Sequence, residues 1–114
     1  MNPLKITTRD AVAGPVLEIS GELDYDSASE LRDLIPTIPL RPGQHLTVDL
    51  GGMEFCDSSG LSALIAAHSH ARAAGAQIAL TSVSPHTLRV LRIVGLDQIF
   101  AIRQVDNAEK RVGG

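Results

Sequence analysis

The stretch Leu46-Thr47-Val48-Asp49-Leu50-Gly51-Gly52-Met53-Glu54-Phe55-Cys56-Asp57-Ser58-Ser59-Gly60-Leu61 changes its period halfway along. Leu46, Val48 and Leu50 alternate with polar residues, which predicts a strand with one apolar face. From Leu61 onward the spacing Leu61, Leu64, Ile65, His68, Ala71 is that of a helix face, and Gly75 predicts its end. A strand that turns into a helix through a short loop is half of a βαβ unit. Gly51-Gly52 reads as a turn, followed by the mostly apolar Met53 to Cys56.

Working outward, the same alternation of elements recurs. Upstream, Leu4 to Thr8 and Val16 to Ser20 flank a Gly14-Pro15 turn signal and predict two adjacent strands in a hairpin. From Asp26, Ala28, Leu31, Leu34, Ile35 and Ile38 recur at three and four residues, with Asp24 or Asp26 available as a cap. Pro36 and Pro39 remove backbone donors, so this helix is expected to end near Leu34 or Ile35. Downstream, Gln77 to Thr81 reads as a strand, Ser84-Pro85 as a serine cap with proline at the first helical position, and Ile99 to Ile102 as a last strand. Asp106 to Val112 reads as a short terminal helix. The predicted order is β-β-α-β-α-β-α-β-α, an α/β fold with a mixed, mostly parallel sheet. Each helix has one apolar face, so the helices are expected mainly on one face of the sheet.

Composition bounds what such a domain can do. At 114 residues the chain fits a single domain, 1–114, with a core from about residue 4 to 108 and a short flexible C-terminal tail. Ten Lys and Arg against 13 Asp and Glu give a net charge of −3, the wrong sign for gripping a phosphate backbone. Tyr25, Phe55 and Phe100 are the only aromatics, too few for stacking on single strands, so no direct nucleic-acid partner is expected. The most apolar stretch, Leu61 to Leu80, carries His68, His70, Arg72 and Gln77, so no membrane span is expected. One cysteine, Cys56, excludes an internal disulfide and, with no signal-like start, places the expectation in the cytoplasm.

The chemistry-bearing residues gather at Phe55 to Leu61. The first turn of a helix has unpaired N–H groups and a partial positive charge, which suit a side-chain oxygen and suit a phosphate better. Ser58 is thus a candidate phosphate acceptor, while Asp57 or Ser58 acting as a plain helix cap satisfies the same four residues, Asp57 to Gly60. Gly21-Glu22-Leu23-Asp24 lies 33 residues before Asp57, counted from Asp24, at the end of the second strand. Phe55 to Leu61, Ser84-Pro85 and Val94-Gly95-Leu96 follow in fixed order. This set resembles the STAS family, and within it the stand-alone anti-sigma factor antagonists of bacteria, over about Leu4 to Ala108.

The resemblance implies a STAS-like fold and a mechanism of partner switching. An anti-sigma factor that is also a serine kinase, with a histidine-kinase-like ATPase fold, would bind the unmodified antagonist and release a sigma factor. The kinase would then phosphorylate the serine after the aspartate, here Ser58, and a PP2C-type phosphatase would reverse the step. By the same carry-over, Asp24 and Asp57 line the site while Ser59 and Gly60 shape its loop. Tyr25, Cys56, Leu61 and Ser62 are expected at the partner surface. The protein itself would be no enzyme and would need no cofactor. Cys56 and Ser62 depart from the commoner family pattern of an aliphatic residue and a glycine, which bears on the choice of kinase.

Electrostatics fit a switch at an interface. A phosphate on Ser58 about 5 Å from the Asp57 charge is repelled by roughly 1 kcal/mol in water, and a helix N-terminus returns roughly 0.3 to 1 kcal/mol. Buried in a complex without compensation, the same group costs several kcal/mol.

Other readings draw on single features. His68 and His70, two apart on one helix, point apart and cannot chelate one ion, and His45 and His86 stand alone, so no metal site is expected. Gly60-Leu61-Ser62-Ala63-Leu64 lacks the second glycine of a nucleophile elbow. A receiver-like domain phosphorylated on Asp57 needs an internal lysine, and Lys5 and Lys110 both lie near the termini. The Gly113-Gly114 end resembles the diglycine tail of sulfur carriers, but two glycines at a chain end are more often just a frayed terminus. A scaffold module in a stress-sensing complex would use the same fold.

Overall fold

The computed structural model describes residues 2–103. Leu46, Val48 and Leu50 lie in the central strand of a five-stranded sheet of order β1-β2-β3-β4-β5. The strands are β1 (Lys5–Ala11), β2 (Gly14–Leu23), β3 (His45–Cys56), β4 (Gln77–Thr81) and β5 (Ala101–Arg103). β1 runs antiparallel to β2, forming the expected hairpin, and every later pairing is parallel. The helices α1 (Ala28–Leu34), α2 (Ser58–Ala73) and α3 (Pro85–Ile93) are the three crossovers.

Each crossover steps one strand in the same direction, so connections of one hand bring all three helices to the same face of the sheet. The core shows the result. Leu17, Ile19, Leu46, Val48, Leu50 and Leu80 from the sheet form one buried cluster with Ala28, Leu31, Ala63, Leu64, Ala67 and Leu91 from the helices. On the opposite face Glu18, Ser20, Thr47 and Asp49 stay half-buried. The fold is the α/β STAS-like arrangement expected from the alternation of elements. The terminal helix expected over Asp106 to Val112 and the C-terminal tail lie outside the described residues.

Local departures from the expected boundaries have identifiable causes. Gly51-Gly52 makes no turn, because β3 continues through it to Cys56. The pairing with β2 slips twice, between Glu18 and Ser20 and again between Gly21 and Glu22, so β3 carries extra residues as bulges. A Cβ on Gly52 would lie 2.6 Å from that of Ser20, so close backbone approach, not a chain reversal, requires glycine there. Helix α1 starts at Ala28, two residues after the expected Asp26, and ends at Leu34, where Pro36 forces a 3-10 turn over Ile35–Thr37.

The buried stripe of α2 is Gly60, Ala63, Leu64, Ala67 and Ala71. It is rotated from the expected one, since Ile65 is exposed and Leu61 and His68 are half-buried. Small side chains let the helix lie close to its neighbours, and this shape effect outweighs the size of the apolar residue. After α3, Gly95 takes φ +82°, a 3-10 turn follows over Leu96–Gln98, and this delays β5 to Ala101. Leu64 is fully buried between α2 and the sheet cluster. Leu64→Ala should lower stability by about 2 to 5 kcal/mol, seen as a lower urea midpoint at unchanged slope.

Candidate functional site

The parallel strands β2 and β3 end side by side, with Leu23 opposite Cys56 and the Asp57 N–H donating to the Leu23 carbonyl at 3.3 Å. The two loops that leave them meet over the Asp57 carboxylate. Asp57 is the N-cap of α2, and its Oδ1 accepts from the Ser59 N–H at 2.9 Å and the Gly60 N–H at 3.1 Å. Its Oδ2 accepts from the Tyr25 N–H at 3.0 Å, which ties the β2–α1 loop to the helix start. Of the two capping alternatives the structure selects Asp57.

Ser58 is therefore the first helical residue, exposed, with its hydroxyl outside the cap hydrogen bonds that Asp57 makes. Behind it the packing is tight. A Cβ on Gly60 would stand 2.7 Å from both Cys56 Sγ and the Leu23 carbonyl oxygen, so only glycine lets α2 seat on the strand ends. Ser59 is half-buried, Leu61 is half-buried, and Ser62 is exposed with its Oγ donating to the Ser58 carbonyl at 3.1 Å. Tyr25 projects from the neighbouring loop with 78% of its surface in water.

Asp24 holds its own loop. Its Oδ1 accepts from the Ser27 N–H at 3.0 Å, and its N–H donates to Ser27 Oγ at 3.0 Å. The Ser27 backbone and side-chain hydrogen bonds hold the Asp24 carboxyl below the usual carboxylate range. Asp24 thus braces the loop that delivers Tyr25, and α1 starts from Ser27 with no side-chain cap hydrogen bond, so neither Asp24 nor Asp26 caps it as expected. Together with Glu22, Asp26 and Glu30, Asp24 lines a cleft of about 410 Å³ that the arm Asn2, Pro3 and Leu4 borders. That arm is clamped by the Asn2 amide donating to both Glu54 carboxylate oxygens at 2.8 and 2.6 Å.

Among the described residues, no group of three or more His, Cys, Asp and Glu is placed to hold a metal. His70 pairs with the Ile38 carbonyl at 2.9 Å and His68 meets Phe100 edge to face at 5.6 Å. No helix of the described residues is long and apolar enough to cross a membrane.

Cys56 is half-buried, and burial, aided by the Asp57 charge, pushes its thiol up to about 11. It is a packing residue against Gly60, and the thiolate needed for redox chemistry is scarce.

Two points were not visible in the sequence. Phe55 belongs to the mostly apolar Met53 to Cys56 segment yet is 52% exposed at the bulged end of β3. It lines a groove with Leu61, His86 and Val90 that no spacing in the sequence announces. The N–H groups of the α2 start are also already occupied by Asp57. A phosphate on Ser58 would share them, so the offset expected from the helix end shrinks and repulsion of about 1 kcal/mol in water remains.

Comparison with known proteins gives this geometry its class. A family model described as Mlab, STAS domain, matches residues 6–104. The chain belongs to the STAS domain family. It is 31% identical over 86 residues to a STAS-domain containing protein of Pseudomonas aeruginosa, covering 75% of this chain and 84% of the other. It is 30% identical over 88 residues to an anti-sigma F factor antagonist of Paenibacillus polymyxa, covering 76% and 75%. A crystal structure of an anti-sigma factor antagonist from Mycobacterium paratuberculosis superimposes with a TM-score of 0.76 at 25% identity, over 98% of this chain and 96% of that one. The anti-sigma factor antagonist SpoIIAA, solved in its unphosphorylated form, shares the fold at a TM-score of 0.68 and 18% identity, over 96% and 99%.

Two outcomes test the site chemistry. Asp57→Ala should lower stability by about 1 to 2 kcal/mol, with Asp57→Asn losing less, in urea titrations, because the cap and the Tyr25 tether share one carboxylate. Iodoacetamide at pH 8 should modify Cys56 about a hundredfold more slowly than an unstructured thiol, as the rise from 9.0 to about 11 requires. The raised folded value also means that stability from the neutral thiol is complete below pH 9 and is lost as the pH climbs through about 11.

Proposed function

We propose that this protein is a cytoplasmic, non-enzymatic anti-sigma factor antagonist whose acceptor is Ser58. In this reading the unmodified form binds an anti-sigma factor that is itself a serine kinase of the histidine-kinase-like ATPase fold. Binding frees a sigma factor, and the kinase then transfers the γ-phosphoryl of ATP to Ser58 Oγ. The hydroxyl proton leaves as ADP is released, and a PP2C-type phosphatase hydrolyses the ester to restore the hydroxyl.

The observation that carries this reading is the division of labour at the start of α2. Asp57 meets the structural demand for a cap, which leaves the exposed Ser58 hydroxyl available to a visiting enzyme. Its relatives add support, since similar chains are anti-sigma factor antagonists in Paenibacillus polymyxa and Listeria monocytogenes. SpoIIAA has been solved in both an unphosphorylated and a phosphorylated form. Asp24, Ser59 and Gly60 shape the loops around the acceptor, and Tyr25, Leu61 and Ser62 form the adjoining partner surface.

The competing receiver reading fares worse on chemistry. An aspartate that gives both carboxylate oxygens to backbone donors is a poor nucleophile, and Lys5 sits on the edge strand β1.

Incubation with the cognate kinase and ATP should label the wild type and leave Ser58→Ala unlabelled. Transfer that persists undiminished in Ser58→Ala would remove Ser58 as the site. Ser58→Asp should weaken kinase binding by at least about tenfold, roughly 1.4 kcal/mol, while its melting temperature stays close to that of the wild type. A large fall in melting temperature would make Ser58 a structural residue.

A further inference from the structure

Beside the acceptor runs a groove of about 360 Å³, of whose lining the partner surface above takes in only Leu61. Phe55, Cys56 and Leu61 form one wall, and Val90 of α3 faces them. The Phe55 ring leaves 52% of its surface in water, a large apolar exposure of the kind that anchors protein interfaces. The polar rim makes few demands, since Ser84 Oγ already pairs with Thr87 through its backbone N–H at 3.1 Å and its hydroxyl at 3.0 Å.

Cys56 and Leu61 immediately flank Asp57 to Gly60, so a protein that reaches the Ser58 hydroxyl also covers the groove. Glu54 borders the groove, and Glu22, Asp24, Asp26 and Glu30 border the cleft on the other side of the loops. The carboxylates lining the groove and the neighbouring cleft face no Lys or Arg within either lining, although His86 lines the groove and Arg89 lies beside Val90 on α3. An occupant that complements both features carries a large apolar side chain between cationic residues.

Resting on the reading of Ser58 as a kinase substrate, we propose that this groove is the docking pocket for the kinase. A large apolar side chain of the kinase lodges between Phe55 and Val90, and a Lys or Arg beside it faces Glu54. The groove is separate from the hydroxyl, so docking and phosphoryl transfer are separable contributions. Phe55 sets how tightly the kinase holds the protein, and Ser58 sets what it modifies.

Steady-state phosphorylation of Ser58 by the cognate kinase with ATP tests this. Phe55→Ala and Val90→Lys should each raise KM for this protein about tenfold or more, with kcat within about twofold and melting temperatures near the wild type. Phe55→Leu should restore most of the affinity. An unchanged KM in both variants, with Ser58 still labelled, overturns the groove while leaving the kinase reading intact. A loss confined to kcat, or one that follows a fallen melting temperature in both variants, also overturns it. No transfer to the wild type overturns the kinase reading and this inference with it.

Discussion

A helix that begins at a strand end must find acceptors for its first N–H groups, and here a single carboxylate supplies them. Asp57 takes the Ser59 and Gly60 donors with one oxygen and the Tyr25 donor with the other. The same group therefore fixes where α2 starts and holds the β2–α1 loop against it. Gly60 completes the arrangement, because any side chain there would collide with Cys56 and the Leu23 carbonyl. The remaining geometry of the site follows from this junction.

The junction also fits the proposed modification of Ser58, which would act without unfolding its host. The groups that hold the loop are backbone donors and a carboxylate, while the exposed hydroxyl of Ser58 lies outside them. Added charge at that point faces water, where about 1 kcal/mol of repulsion from Asp57 is tolerable. Removed from water by a bound protein, the same charge becomes costly by several kcal/mol. The difference between those two environments is the physical basis of the proposed switch.

Much of this architecture was legible from period alone. The alternation of Leu46, Val48 and Leu50 and the Ser84-Pro85 cap are local signals, and the structure bears them out. The family resemblance was carried by the order of short motifs, and the fold agrees with it. What escaped sequence reading depends on close approach between distant segments. Gly51-Gly52 has the composition of a turn, but β3 continues through it as a bulge, with Gly52 close against Ser20 of β2. Phe55 belongs to a mostly apolar segment, and it stands exposed at the bulged end of β3. In α2, alanines displaced larger residues from the buried stripe, since fit against neighbours decides burial once apolar residues are abundant.

Because the hydroxyl of the proposed acceptor lies outside the cap hydrogen bonds that its neighbour Asp57 makes, the two side chains face different evolutionary pressures. Under the proposed function, a lineage that loses or regains the hydroxyl keeps a folded frame throughout. Loss of the adjoining carboxylate would instead expose each lineage to selection on stability first. On the proposed reading, the switch is thus separable from the frame that carries it.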